Sequence, residues 1–353
     1  MEEEGIKFKS SNSVFYNPNM HFCRSIFSLG VGAIGKKIKF VDGFAATGIR
    51  GIRYSKENKA SGTYVDTNPS AVKLIKENLK KNKLKGKVIY NDFNKFIREE
   101  EFDLIEIDPF GTPVPHLYDA MRSFRKIKSA YLSVTATDVA VLCGPHSLAC
   151  IKNYHAKSLN NEFTHETGVR MLLRRIAETA AEFNYGIEPL FSLSDQHYVK
   201  LFIKINKGEK YFSNSLKSFG YVSHCFKCGE REFGKRMRNK CICGAIMDYA
   251  GPLWLGELHD KTFLEKMIKL NSKRKYLHKE KLDKILNLMI GEISLPFYYN
   301  LHKLAKTRKN VSIPKINYLI EKLKEKGYKA ERTHFSPQSL KTNAPISLLL
   351  KRH

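Results

Sequence analysis

The chain has 353 residues, with 61 Lys and Arg against 35 Asp and Glu, and its formal net charge at pH 7 is +26. This length predicts two domains, and a hydrophobic content of 42% with 22 Phe and 17 Tyr excludes a disordered protein. The charge indicates a polyanionic partner, with nucleic acid favoured over a membrane surface.

The positive charge is concentrated in the second half. Residues 207–353 carry 31 Lys and Arg against 13 Asp and Glu, whereas residues 1–206 carry 30 against 22. We therefore expect the second half to supply most of the attraction for phosphates, with a solvated lysine-rich surface as the alternative. No apolar run approaches the ~20 residues that span a membrane, and the first residues are acidic, unlike a signal peptide. A cytoplasmic protein without a membrane partner is expected.

Strands and helices alternate through the first half. Strands are predicted at residues 38–42, 62–66, 87–92, 102–107 and 130–135, and helices at 68–83 and 162–183. The first of these helices begins at Thr67 or Asn68, with Pro69 in its first turn. Apolar runs at 185–193 and 197–205 predict an antiparallel hairpin. This order indicates an α/β fold with a doubly wound, mostly parallel seven-stranded sheet that ends near residue 206.

Four predicted strands end in a carboxylate: Asp42, Asp66, Asp92 and Asp108. The carboxyl ends of parallel strands meet at one edge of a sheet, where open α/β sheets bind ligands. Asp66 is suited to a ribose and Asp92 to an adenine amine, while glycines in residues 43–51 permit close approach of the chain. Each acid taken singly has a helix cap as its alternative. The set predicts a nucleoside cofactor.

S-adenosylmethionine is the nucleoside cofactor that fits best. The turn after the first strand lacks the G-x-G-x-x-G spacing of dinucleotide sites and the P-loop lysine arrangement of ATP sites. The seven-strand pattern with a final hairpin is similar to that of class I methyltransferases. Arg24, Arg50 and Arg53 are candidates to pair with the carboxylate of the cofactor, and surface charges are the alternative.

The segment Asp108-Pro109-Phe110-Gly111 follows a short buried strand. Proline ends the strand because it lacks a backbone donor. The carboxylate of Asp108, a backbone carbonyl and the ring of Phe110 are suited to hold a planar base with an exocyclic amine. An ordinary strand terminus is the alternative, with Phe110 as a core aromatic.

Four cysteines form the strongest pattern of the second half. Cys225 and Cys228 make C-x2-C, and Cys241 and Cys243 make C-x-C. Paired thiolates at this spacing predict a structural Zn²⁺ in a zinc knuckle at about residues 221–250. His224 is an alternative ligand, because the C-x-C half is tighter than usual. Disulfides are disfavoured in a cytoplasmic chain with three other scattered cysteines.

The remainder of the second half is predicted to be α+β. Residues 234–240 form a basic loop suited to phosphates, with a merely solvated loop as the alternative. Helices are predicted at 296–306 and 312–326, followed by a strand-like stretch at 328–335. This pattern predicts a winged-helix-like segment over about residues 296–345, which binds RNA backbone or packs against the first domain.

Five segments of the chain resemble the tRNA guanine-26 N2-dimethyltransferase family. They are residues 14–20 with Arg24, 42–51, 108–113, 135–138 and 334–337. Because they lie from near the first residue to near the last, the resemblance covers essentially the whole chain. It implies a catalytic domain at residues 1–206 that binds S-adenosylmethionine, and a tRNA-binding domain at 207–353.

The resemblance also implies an activity and a site. The activity is methylation of the N2 amine of guanine 26 in tRNA, first to the monomethyl and then to the dimethyl product. Apart from the resemblance, a monomer is expected. The cofactor residues carried over are Arg24, Arg50, Asp66, Asp92 and Phe93, to which the strand-end pattern adds Asp42. Asp108 lies at the reacting end with Pro109 and Phe110. The alternatives are a methyltransferase for another exocyclic amine in RNA or DNA, and a zinc-containing nucleic-acid-binding protein without catalysis.

Overall fold

The computed structural model describes residues 1–195, 197–308 and 311–352. The chain begins with a small hairpin, a single 3-10 turn and a long buried helix: β1 (Glu2–Glu3), β2 (Ile6–Lys7), the turn Pro18–Met20 and α1 (His21–Ala33). The segment between β2 and α1 contains the first family-like motif, residues 14–20.

A seven-stranded sheet with flanking helices follows. Its elements are β3 (Lys39–Asp42), α2 (Ile49–Asn58), β4 (Ser61–Asp66), α3 (Pro69–Lys81), β5 (Gly86–Tyr90), α4 (Phe93–Ile97), β6 (Leu104–Ile107), α5 (Val114–Ser123), β7 (Ser129–Ala136), α6 (Val139–Leu142), α7 (Ser147–Tyr154), α8 (Thr164–Ala181), β8 (Tyr185–Asp195) and β9 (Tyr198–Lys207). The strand order is β5-β4-β3-β6-β7-β9-β8, and β9 runs antiparallel to both its neighbours. The predicted fold class is confirmed.

The first, second and fourth strands end where the pattern predicts, and β7, β8 and β9 end one or two residues beyond the predicted positions. The third strand instead ends before its predicted position. The sequence pattern extends this strand to Asp92, but β5 ends at Tyr90. Asp92 instead begins α4, where its side chain accepts the backbone N–H of Lys95. Asn68 caps α3 as expected, accepting the N–H of Ser70.

The second half adds helices, two three-stranded sheets and a two-stranded pair. Its elements are α9 (Glu209–Lys217), β10 (Phe219–His224), β11 (Arg231–Gly234), β12 (Asp248–Trp254), α10 (Lys261–Asn271), α11 (Lys279–Gly291), β13 (Tyr299–Asn300), α12 (Leu301–Lys306), β14 (Val311–Ser312), α13 (Ile316–Glu325), β15 (Ala330–Thr333), β16 (Ser336–Thr342), a 3-10 turn at Ile346–Leu348 and β17 (Lys351–Arg352). The three-stranded sheets have the orders β11-β10-β12 and β13-β16-β15, and the two-stranded pair is β14-β17. Within the described ranges, no helix is both long and apolar enough to cross a membrane.

The winged-helix-like prediction is partly wrong in its boundaries. The helix expected at 296–306 begins only at Leu301, because Tyr299 and Asn300 pair with β16 as a short strand. The helix expected at 312–326 begins at Ile316, and β16 was not predicted at all. Residues 309 and 310, inside this segment, lie outside the described residues.

Helices α10 and α11 pack against the first half of the chain. Phe263 and Met267 of α10 share one hydrophobic core with Phe27 of α1 and Phe202 of β9. The guanidinium of Arg274 lies 3.0 Å from Glu57 at the end of α2. The domain boundary at residue 206 stays a prediction, but the region after it completes the core of the catalytic sheet.

A buried charge cluster joins three parts of the chain. The carboxylate of Glu292, just after α11, accepts from His334 Nδ1 at 2.6 Å and lies 2.6 Å from Lys341 Nζ in β16. Lys341 also lies 3.0 Å from Glu166 in α8. Burial alone raises the pKa of Glu292, but Lys341 and His334 together hold it well below its ordinary value. The family-like motif at residues 334–337 therefore has a structural role here.

We expect Glu292→Gln to lower the free energy of unfolding by about 3 kcal/mol, because it leaves buried positive charge without its partner. Urea denaturation measures the change. Glu331→Gln is the matched control, since Glu331 pairs with Lys324 at the surface and exposed pairs contribute about 0–1 kcal/mol. Equal losses in the two variants would contradict the assignment.

Candidate active site

A cavity of about 660 Å³ lies at the carboxyl ends of β3, β4 and β6. Its walls are the N-terminal segment 13–17, the turn 44–50 between β3 and α2, and the segment 108–110 after β6. The tip of the β8–β9 hairpin, at His197 and Tyr198, also lines it. The cavity thus occupies the edge at which α/β sheets bind ligands.

Seven of the nine predicted catalytic and cofactor residues line this cavity. They are Arg24, Asp42, Arg50, Asp66, Asp108, Pro109 and Phe110. Asp92 and Phe93 do not line it. Asp92 is exposed and caps α4, while Phe93 is buried, with its ring centroid 5.3 Å from that of Phe44.

The turn after β3 lines the cavity and contains two glycines at constrained positions. A Cβ added at Gly43 would lie 2.4 Å from the ring of Phe93, so the position has no room for a side chain. Gly48 has φ +76°, a conformation that glycine adopts at little cost, and starts α2. The backbone of this turn is fixed by Asp66, whose carboxylate accepts the N–H groups of Ala46 and Asn68 at 2.8 Å each.

Asp42, at the end of β3, is a buried acid on the cavity floor. Its Oδ2 atom has no hydrogen-bond partner in the part of the chain that the structure describes. Burial raises its pKa to about 7, and the carboxylates of Glu106 and Asp108 add to this effect. Arg50 and Lys200 oppose it only in part. Asp42 therefore exchanges a proton near neutral pH.

Asp42→Asn is expected to remove part of the pH dependence of stability. A carboxyl whose pKa is raised on folding holds a proton in the folded state that the unfolded chain has lost, so stability falls as the pH rises from about 4 through 7. Thermal unfolding of the ligand-free protein checks this. We expect the melting temperature of the variant to lie several degrees above that of wild type at pH 8, with a smaller difference at pH 5. If the melting temperatures of the two proteins changed equally with pH, the expectation would be refuted.

The two arginines of the cavity wall already have acidic partners. Arg24 binds Glu3 through Nε and Nη2, at 2.9 and 2.7 Å, and also donates to the carbonyl of Asn17. Arg50 donates to Asp108, and its Nη1 lies 3.7 Å from Glu106. Arg53, the third candidate, is fully buried against Glu3 and Glu57 and does not line the cavity.

Below Asp108 lies a buried network that the sequence analysis did not identify. Glu106, inside β6, accepts from Tyr54 at 2.9 Å and from Lys200 of β9. Lys200 also donates to Thr135 at 2.6 Å and lies 4.0 Å from Asp108. The available signal was a lone acid in the apolar strand Leu104–Ile107 and a lone lysine in the apolar run 198–203.

Arg50 and Lys200 determine the charge state of Asp108. Burial alone raises the pKa of this carboxyl, but the two cations hold it below its ordinary value. Asp108 is therefore ionised at neutral pH, and its carboxylate is able to accept hydrogen bonds or a proton.

Two exposed aromatic rings stand at the mouth of the cavity. Phe110 is 77% exposed, and its ring meets that of Phe15 edge to face, with centroids 5.0 Å apart. The core-aromatic alternative for Phe110 is therefore wrong. The following Gly111 donates its N–H to Thr137 Oγ1 at 2.7 Å and accepts the Thr137 N–H, so the segment is held by the loop after β7.

The four cysteines of the predicted knuckle converge. Cys225 Sγ lies 3.6 Å from Cys243 Sγ, Cys228 Sγ lies 3.5 Å from Cys241 Sγ, and all four lie within 4.8 Å of one another. A tetrahedral Zn²⁺ with Zn–S bonds of about 2.3 Å separates its sulfurs by about 3.8 Å, so the cluster fits this ion. No disulfide is formed among these residues.

His224 faces away from the cysteine cluster. Its Nε2 lies 3.4 Å from Glu162, and its ring contacts Phe163 and Phe226. Burial lowers its pKa to about 4, so it is neutral at physiological pH. The candidate metal-binding group here consists of the four cysteines, and His224 is not part of it.

Comparisons with known proteins agree with this geometry. The model of the family described as N2,N2-dimethylguanosine tRNA methyltransferase matches residues 1–352. Two proteins named tRNA (guanine(26)-N(2))-dimethyltransferase are similar: that of Methanobrevibacter smithii at 38% identity over 96% of this chain and 91% of its own, and that of Archaeoglobus fulgidus at 35% over 99% and 97%.

A solved structure is similar over the same extent. The complex of Trm1 from Pyrococcus horikoshii with S-adenosyl-L-methionine superimposes with a TM-score of 0.92 and 31% identity. The match covers 100% of this chain and 99% of that one. The arrangement of both halves is therefore shared, including the region beyond the catalytic sheet.

Proposed function

Because the chain belongs to the N2,N2-dimethylguanosine tRNA methyltransferase family, we propose that it methylates the N2 amine of guanine 26 in tRNA twice, with S-adenosylmethionine as methyl donor. The observation that carries the proposal is the juxtaposition of an ionised acid, Asp108, and an exposed ring, Phe110, at the mouth of a nucleoside-sized cavity. The cavity volume of about 660 Å³ lies within the range of small-molecule sites.

The cavity floor suits the cofactor. Asp66, held by two backbone N–H groups, is assigned to the ribose hydroxyls, and Asp42 ends the neighbouring strand β3. Arg24 and Arg50 are the permanent cations of the wall and are assigned to the amino-acid carboxylate, which Arg50 approaches while its Nη2 stays on Asp108. Asp92 and Phe93 are kept as adenine contacts, since they follow β5, whose Tyr90 lies beside Asp66 in the sheet.

The chemistry requires help for a weak nucleophile, because the lone pair of the guanine amine is delocalised into the ring. Asp108 and the carbonyl of Pro109 are assigned to the amine hydrogens, which orients the nitrogen for in-line attack. When bound, S-adenosylmethionine supplies the sulfonium methyl group. As the N–C bond forms and the S–C bond breaks, Asp108 accepts the proton that the nitrogen releases. Phe110 and Phe15 offer faces on which the base stacks.

The substrate explains the size and charge of the second half. A guanine between two tRNA stems is stacked, so it must be extruded at a cost of a few kcal/mol. Contacts of basic residues to phosphates offset this cost. Arg236, Arg238 and Lys240 are exposed on the knuckle, and we assign them to the tRNA backbone. Zn²⁺ held by Cys225, Cys228, Cys241 and Cys243 stabilises the loop that carries them. The protein is proposed to act as a monomer in the cytoplasm.

Methyl transfer to unmodified tRNA transcripts tests the function. A transcript with guanine at position 26 is expected to accept two methyl groups, and the same transcript with adenine there to accept none. Digestion to nucleosides and mass spectrometry identify the product. Methylation that persists after the replacement would refute the target position, and methylation of the adenine would favour a broader exocyclic-amine specificity.

A further inference from the structure

Lys200 is a buried cation directly beneath the proposed catalytic acid. Its side chain is 0% exposed, and its ammonium group contacts Glu106, Thr135 Oγ1 and the face of the Phe27 ring. It lies in β9, far in sequence from each segment that carries the family resemblance. A lysine is rarely buried without a specific partner, because removing its charge from water is costly.

The geometry places Arg50 between two competing carboxylates. Its Nη2 donates to Asp108 Oδ2, while its Nη1 lies 3.7 Å from Glu106 Oε1. Lys200 contacts the same Oε1 atom of Glu106. Tyr54 donates to Glu106 Oε2, so Lys200 and Tyr54 together satisfy the buried carboxylate without Arg50.

We propose that Lys200 is a positioning residue for methyl transfer. It forms the ion pair with Glu106, so Arg50 keeps its hydrogen bond to Asp108 and the carboxylate of Asp108 keeps its orientation toward the amine. The inference deepens the proposed function and rests on it. Lys200 touches neither the base nor the cofactor in this assignment and acts only through Glu106 and Asp108.

Loss of the ammonium group has a predictable consequence. Glu106 is fully buried and would keep only the Tyr54 hydroxyl as a close hydrogen-bond donor, so the guanidinium of Arg50, 3.7 Å away, is drawn toward it. Asp108 then loses the hydrogen bond from Arg50 as well as the charge of Lys200, 4.0 Å away. Without these cations Asp108 is protonated more readily.

Lys200→Met and the double variant Glu106→Gln/Lys200→Met test the proposal with the full-length enzyme and guanine-26 transcripts. We expect the single variant to lower kcat about 100-fold, the effect of misplacing a catalytic group by about 1 Å. The double variant removes the competing carboxylate, so kcat should recover to within about tenfold of wild type. Lys204→Met, in the same strand but paired with Glu188 near the surface, is the matched control and should behave as wild type.

The pH dependence of kcat separates positioning from stability. In Lys200→Met the acid limb of the profile should move up by about one pH unit, and in the double variant it should return toward wild type. A single variant that loses only thermal stability, with kcat per folded molecule and the acid limb unchanged, would overturn the proposal. So would a double variant as slow as the single one.

Glu106→Gln keeps the proposal testable if Lys200→Met does not fold. It removes the competing carboxylate, so Lys200 and Arg50 act on Asp108 alone. The acid limb of the kcat profile should therefore move to lower pH, and an unmoved limb would overturn the proposal. Failure of the proposed function is distinguished by the wild-type enzyme, which would then bind S-adenosylmethionine in calorimetry without methylating the guanine-26 transcript.

Discussion

Asp108→Asn is expected to lower kcat for methylation of guanine-26 tRNA by roughly 10²–10⁴-fold, the usual contribution of a positioned general base. Asparagine keeps the size of the side chain and one acceptor oxygen, but it takes no proton at neutral pH. Because Arg50 and Lys200 hold the pKa of Asp108 below its ordinary value, the acid limb that Asp108 contributes to wild-type activity should lie at acidic pH, well below the Asp42 pKa of about 7. That acid limb should be absent from the residual activity of the variant.

The control for this experiment lies in the same strand segment. Asp103, at the opposite end of β6, is partly exposed and pairs with Lys36 at the surface, so Asp103→Asn should leave kcat unchanged. Calorimetry should show S-adenosylmethionine binding by both variants. Near-normal kcat in Asp108→Asn would remove the proton-acceptor role and leave Asp108 only a hydrogen-bonding partner of the amine.

Cys225→Ser is expected to abolish zinc binding and to unfold the knuckle. Cys225 and Cys241 are buried with Met247 in a small separate cluster, so little apolar packing holds this region besides the thiolates. Structural Zn²⁺ in comparable small sites contributes about 10–16 kcal/mol of apparent binding energy at pH 7. Metal analysis should show one Zn²⁺ in the wild-type protein and none in the variant.

The loss of zinc should separate the two binding functions. We expect tRNA affinity to fall at least about tenfold, because the exposed basic residues of the knuckle lose their fixed positions. Binding of S-adenosylmethionine should persist, since the cavity is built from the first half of the chain. Cys143→Ala, which changes a buried thiol outside the cluster, is the control and should retain zinc. If the wild-type protein, purified in buffer that contains zinc, held no bound zinc, the assignment would be contradicted.

Most of the catalytic fold was predictable because its signals are local. Apolar runs that end in Asp42, Asp66 and Asp108 mark strand ends, and the alternation with helices implies a parallel sheet. The hairpin before residue 206 and the cap at Asn68 follow from the same short-range patterns. The third strand was misjudged by two residues because Asp92 is at once a plausible strand end and a good helix cap.

The prediction was weakest where long-range pairing overrides a local pattern. Tyr299 and Asn300 read as part of a helix, but their partners Leu340 and Ser339 lie some forty residues later in the chain. The packing of α10 and α11 against α1 is likewise invisible in the sequence, since an amphipathic helix does not indicate which core it joins.

By itself, the sequence determined the chemistry that each short segment is able to perform: an acid and an aromatic ring after a strand, four thiolates at ligand spacing, and a basic second half. Only the tertiary structure decided which groups meet. It paired Arg24 with Glu3 and Arg50 with Asp108, left Asp42 Oδ2 without a hydrogen-bond partner among the described residues, and placed Lys200 beneath the site. The physical reason is that burial and charge pairing depend on distances between residues remote in the chain, and those distances determine which acid is ionised and able to accept a proton.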